Sequence, residues 1–312
     1  MLSSRPNNYD GGESVMKIRL SVTILIVIIT ACFTSSGIAA DRVSVLVSIV
    51  PQKYFVQQIG KDLVDVQIMV QPGATPHTYE PKPSQMAALS KARIYFAIGV
   101  PFEKIWLEKI VAANPAMKVI HTDHEIAKIP MASYHQDHDK HGHLEDSHEH
   151  GTLDPHIWLS PPLVMIQARA IRNALQEIDP AHRDVYGANY RAFRSEIANL
   201  DRELMNMFKD YRGMQFMVFH PAWGYFAHTY GLQQVPIEIE GKDPKPAQLK
   251  EYIELAREKE ITVLFVQPQM SRKSADLIAR EIGGQVVIAN PLAEDWSANL
   301  RHVADNFKAA LR

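Results

Sequence analysis

Across residues 41–312, short β-branched and aromatic runs alternate with amphipathic stretches, a pattern that predicts strand, helix, strand, helix through both halves of the chain. In the first half the spacing predicts strands over 44–50, 64–70, 93–99 and 117–121, with helices over 51–59, 83–90 and 102–113 between them. Pro51 and Pro83 stand at helix starts, where the missing N–H would have had no intrahelical partner. The second half repeats the rhythm, with strands over 214–220, 232–239, 261–267 and 285–289 and helices over 222–230, 246–258, 271–282 and 297–311. Pro236 places its strand at a sheet edge, and Ser271 is the expected N-cap of its helix.

Between the halves runs an apolar helical pattern from Leu163 to Ile178, stopped by Asp179-Pro180. A longer one follows over 181–210, with Val185, Tyr186, Tyr190, Phe193, Ile197, Leu200, Leu204 and Phe208 at helical spacing. A helix of about 28 residues would be about 42 Å long, enough to cross a domain. From Ala188 to Asp210 it holds neither Pro nor Gly, so it should resist bending. The expected fold class is therefore α/β: an N-terminal lobe over 41–180, a rigid connecting helix over 181–210 and a C-terminal lobe over 211–312, with mainly parallel sheets.

Two segments fall outside this rhythm. Lys17 and Arg19, the apolar run from Leu20 to Phe33 and the small residues SSGIAA before Asp41 read as an export signal over 1–40, with Met16 as its start. The run is shorter than the roughly 18 to 20 apolar residues a membrane span needs. Ile29-Thr30-Ala31-Cys32 resembles a lipobox, which would lipidate Cys32 and compete with cleavage before Asp41. The other segment, 134–150, holds six histidines among acids and almost nothing apolar, so it is expected to be a mobile loop.

Composition narrows the chemistry. The net charge of -2 supplies no basic stripe, which argues against nucleic acid as a partner. Cys32 is the sole cysteine, so removing 1–40 leaves a chain without disulfides, and a metal site in it would rely on His and carboxylate donors. Three histidines stand on loops or at strand ends beside proline: His77 in GATPHTYEP, His156 in LDPHIWLSP and His220 in MVFHPAWGYF. Three imidazoles delivered by three segments suit a transition metal in the cleft between two lobes. Binding is then expected to weaken as pH falls through about 6.5, where free imidazole takes up a proton. His121, His124, His182, His228 and His302 read as ordinary loop or helix residues, and Trp158, Trp223, Tyr225 and Trp296 as packing residues.

PHTYEPKPS, DPHIWLSP and FHPAWGYF, in that order and at that spacing, resemble the cluster A-I (cluster 9) solute-binding proteins of zinc and manganese ABC transporters, the ZnuA-like group. The resemblance covers essentially all of 41–312, and the acidic His-rich insertion is typical of its zinc-binding branch. It implies two α/β lobes bridged by one helix, with His77, His156 and His220 as ligands. It further implies Zn²⁺ rather than Mn²⁺ as the ion, a periplasmic receptor acting as a monomer, and an inner-membrane ABC permease as partner.

The sequence departs from the family at two positions. Asn290 stands where relatives often have a ligating Asp, and Gln267 where they often have Glu. The fourth ligand is then a water, Asp295 or Asn290 itself, and the loss of carboxylates favours zinc over manganese. Two other functions remain open: a periplasmic zinc buffer or chaperone without a transporter, and a zinc hydrolase using the His77/Glu80 spacing.

Overall fold

The computed structural model describes Met1 and residues 42–132, 152–238 and 245–311. The export signal with Met16 and Cys32, the His-rich segment 134–150 and Ile239 at the end of an expected strand lie outside the described residues.

The first sheet is made by β1 (Val43–Val47), β2 (Val64–Ile68), β3 (Ile94–Ala97) and β4 (Lys118–His121), in the order β2-β1-β3-β4 and parallel throughout. Crossovers between these strands use α1 (Val50–Gly60), α2 (Pro83–Ala88) and α3 (Pro101–Ala113). The second sheet follows the same plan. Its strands β5 (Gln215–Val218), β6 (Gln233–Pro236), β7 (Val263–Val266) and β8 (Gln285–Ile288) run in the order β6-β5-β7-β8, all parallel. Pro236 ends β6, and β6 is an edge strand as expected, where a residue without an N–H costs the ladder least.

Between the sheets stand α4 (Pro161–Ile178) and α5 (Arg183–Phe208), the latter 26 residues long and so about 39 Å. Tyr186, Phe193, Ile197, Leu200, Leu204 and Phe208 form its buried stripe, which packs on α4, α1 and the closing helix α9 (Trp296–Ala310). The second lobe is completed by α6 (Gly224–Tyr230), α7 (Pro246–Glu258) and α8 (Lys273–Glu281). Ser271 stands at the start of α8 as expected: its Oγ accepts Lys273 N at 3.4 Å, and Arg272 between them already has helical backbone angles.

One hydrophobic cluster runs without a break from Val43 and Phe55 through Trp158, Phe193 and Leu200 to Phe226 and Phe307. A smaller cluster, built around Met217, Ile237 and Leu264, covers the other face of the second sheet. Trp296 starts α9, yet its ring lies 5.3 Å from that of Phe55 in the first lobe. Its indole N–H donates to Trp158 O at 2.7 Å, and the Trp158 indole donates to Pro291 O at 2.7 Å. Buried indoles paired in this way tie the lobes by both packing and hydrogen bonds. We expect zinc to leave the radius of gyration unchanged in solution scattering, because lobe rotation would have to break this shared core. A clear contraction on zinc addition would show that the lobes close as separate bodies.

Candidate metal centre

His77 lies on the loop after β2, at the carboxyl end of the first sheet. Gly73, at φ +86°, allows the turn that opens the loop, and Ala74 N donates to Gln71 O at 3.0 Å. The first turn of α3 holds the loop from the other side. Phe102 N donates to Pro76 O at 3.2 Å, and the Tyr79 ring meets Phe102 edge-on at 5.8 Å. Tyr79 is fixed in turn by donating to Gln85 Oε1 at 2.6 Å.

His156 is not at a strand end. It sits in a turn before α4, three residues after an isolated antiparallel bridge between Pro130 and Leu153. Asp154 orients it: one carboxylate oxygen accepts both His156 N at 2.9 Å and His156 Nδ1 at 2.7 Å. Asp154 is itself fixed by its N–H to Ile129 O and by Tyr225 Oη, which donates to Asp154 O at 2.9 Å. Gly224 leaves room for this carboxylate, since a Cβ there would lie 2.6 Å from Asp154 Oδ2.

His220 follows β5, at the carboxyl end of the second sheet. The parallel register pairs Val218 with Pro236, and two residues further on the same register sets His220 beside Glu238. His220 Nδ1 lies 3.0 Å from Glu238 Oε2, and both side chains are buried.

The three imidazoles converge, with one nitrogen of each lying within 4.8 Å of the others. Nε2 of His156 and Nε2 of His220 are 3.4 Å apart. With both Nδ1 atoms turned to carboxylates, the ring protons belong on Nδ1 and the two Nε2 lone pairs face each other. That contact is repulsive unless a cation lies between them. Zn–N bonds of about 2.0–2.1 Å in a tetrahedron set nitrogens about 3.3–3.4 Å apart, which is the spacing found.

Burial holds His77 neutral, helped by repulsion from His156 and His220, and lowers its pKa to about 3. Burial also lowers the pKa of His156, against the pull of Asp154. Among the described residues neither Asp154 nor Glu238 pairs with a lysine or arginine, so two buried carboxylates stand behind two imidazoles without a formal countercharge. A divalent cation supplies that charge.

The imidazoles open on a cavity of about 10 Å³, room for roughly one water-sized sphere, which is also lined by Trp158, Gln267 and Gln269. Neither of the two side chains considered for a fourth ligand, Asp295 and Asn290, stands free in it. Asp295 caps α9 by accepting Ala298 N at 3.1 Å, and Asn290 Oδ1 accepts Leu292 N at 3.0 Å. Neither residue lines the cavity. Glu80 is exposed and also lies outside it.

Sequence reasoning missed Asp154 and Glu238. Asp154 had a readable signal, an acid two residues before a histidine. Glu238 reads in sequence as the outward residue of an alternating strand, and only strand register brings it to His220. Ligand-orienting carboxylates of this kind typically change metal affinity 10- to 100-fold when lost. Asp154→Asn and Glu238→Gln are each expected to weaken zinc binding by about that factor in a chelator competition, with the apo fold retained. Unchanged affinity in both would reduce these carboxylates to packing groups.

Two parallel α/β lobes, one bridging helix and three imidazoles meeting between facing strand ends define a metal-binding receptor of the helix-bridged class. The chain belongs to the family described as zinc-uptake complex component A, periplasmic (ZnuA), whose model matches residues 45–310. It is 28% identical over 275 residues to the high-affinity zinc uptake system protein ZnuA of Bacillus subtilis (strain 168), covering 85% of each chain. It is also 28% identical over 234 residues to the iron-binding protein YfeA of Yersinia pestis, covering 73% of this chain and 70% of that one. A crystal structure of ZnuA superposes with a TM-score of 0.80 at 44% identity, covering 87% of this chain and all of that one.

Proposed function

We propose that this chain is an exported zinc receptor that binds one Zn²⁺ through His77, His156 and His220 and hands it to an ABC permease in the inner membrane. The lobes are residues 41–180 and 211–312, joined by the helix over 181–210. The observation that carries the metal reading is the pair of Nε2 lone pairs 3.4 Å apart, each backed by a buried carboxylate. Family membership carries the transport reading. Zinc is favoured over manganese because the three converging donors are imidazole nitrogens, whereas manganese prefers oxygen. Metal analysis of untagged protein, followed by competition among zinc, manganese and copper, should give one zinc per chain and preference for zinc over manganese. Preferential retention of manganese would overturn the metal assignment.

The His-rich segment 134–150 we assign to weaker, exchangeable zinc capture, since each binding event there must order a polar chain. Its flanks are close together: Met131 N donates to Thr152 O at 2.9 Å beside the Pro130–Leu153 bridge. A short linker can therefore close the gap. Deleting 134–150 should remove the weak events from a calorimetric titration and keep the tight one. Loss of the tight event would make the segment part of the primary site.

A further inference from the structure

We propose that Gln269 supplies the fourth ligand of the bound ion, through its side-chain oxygen. The inference rests on the reading of His77, His156 and His220 as a metal site, and it names the donor that Asn290 and Asp295 do not provide.

The orientation of the Gln269 amide follows from its neighbours. Leu292 N donates to Asn290 Oδ1 at 3.0 Å, and a backbone N–H identifies the atom it meets as the amide oxygen rather than the nitrogen. The Gln269 atom that approaches the same Asn290 oxygen, at 3.3 Å, must then be its Nε2. Two amide oxygens facing one another would repel. The remaining Gln269 atom, Oε1, is therefore directed away from Asn290, and it is buried with no hydrogen-bond partner. An amide oxygen removed from water without a partner is costly, and native structures seldom tolerate one without a function. Gln269 lines the same small cavity as the three histidines, three residues beyond the carboxyl end of β7.

Chemistry and charge agree with this placement. Three imidazoles and one amide oxygen make a neutral four-donor set, the number a tetrahedral zinc takes. Asp154 and Glu238, one ring behind two of the ligands, supply the two negative charges that a divalent ion requires. Asn290 thus keeps a role at the position where relatives often carry Asp: it aims the Gln269 amide. A neutral oxygen in place of a carboxylate also disfavours manganese, whose affinity depends more on anionic oxygen donors.

The test uses the full chain loaded with Co²⁺ as a spectroscopic stand-in and with Zn²⁺ or Mn²⁺ alone in competition titrations. Gln269→Ala should alter the visible Co²⁺ bands, which report the donor set directly, and lower zinc affinity on the order of 10-fold. Gln269→Glu should keep a four-donor spectrum and narrow the preference for zinc over manganese by a similar factor. Apo thermal stability should change little in Gln269→Ala, because loss of the long Nε2 contact to Asn290 is offset by removal of an unpartnered carbonyl. Unchanged Co²⁺ bands in Gln269→Ala would overturn the proposal even if zinc affinity fell, since a packing role would leave the donor set as it was. His156→Ala is the companion control: if it kept full zinc affinity, the three-histidine reading itself would fail, an outcome separate from any result at Gln269.

Discussion

His156→Ala is expected to lower zinc affinity by about 100- to 1,000-fold while the protein stays folded. Apparent zinc binding energies of about 10–16 kcal/mol spread over four ligands give about 2.5–4 kcal/mol for one, and each 1.4 kcal/mol is about ten-fold. Removing the His156 imidazole also leaves the buried Asp154 carboxylate without the Nδ1 it meets at 2.7 Å. The shared core from Val43 to Phe307 does not depend on the imidazole, so near-UV circular dichroism should stay native-like. Full zinc affinity in a chelator competition with this variant would show that the centre lies elsewhere.

The other large effect is on stability as a function of pH in the metal-free protein. In the unfolded chain His77 takes up its proton near about 6.5, whereas in the folded chain burial and two neighbouring imidazoles hold it back to about 3. Between those values the unfolded state binds more protons, so the His77 contribution is constant above about 6.5 and falls as pH drops below it. His77 alone should cost about 2–3 kcal/mol between pH 6.5 and 4.5. Glu103 acts in the opposite sense. Burial raises its pKa to about 7, against hydrogen bonds from Ser48, Ile98 N and Gly99 N, so its contribution grows as pH falls from about 7 towards the ordinary carboxylate range. Urea unfolding of the wild type and His77→Ala at pH 7.5, 6.5, 5.5 and 4.5 separates the two groups, since only the acid-side loss from His77 should vanish in the variant. Parallel pH profiles would show that His77 is not held neutral in the folded protein. The same burial bears on proton competition for zinc at His77. Proton competition at His77 sets in well below the pH of a free imidazole, so zinc retention at mildly acid pH is compatible with this histidine as a ligand.

Much of the fold was legible because alternation of apolar runs is a local property. The eight strands and the long helix lie within a few residues of their expected positions, and β6 is at an edge because Pro236 can donate no hydrogen bond. Expectations failed where a neighbour from far along the chain decides the outcome. Glu238 went unread because its partner His220 follows a neighbouring strand, and Trp296, read as a packing residue, does pack, but its partner Phe55 lies in the other lobe.

His77, His156 and His220 could be chosen from sequence because each stands in a short motif beside proline, and local backbone restriction can be read from neighbouring letters. The elements that hold those motifs in place were likewise written in local periodicity. Tertiary structure alone decided what surrounds the imidazoles: Glu238 reaches His220 through the β5–β6 register, and Asn290 turns the amide of Gln269 across two loops. Such pairings depend on strand order, register and amide orientation. These are fixed by burial of the whole core and leave no pattern in the residues next to them in the chain.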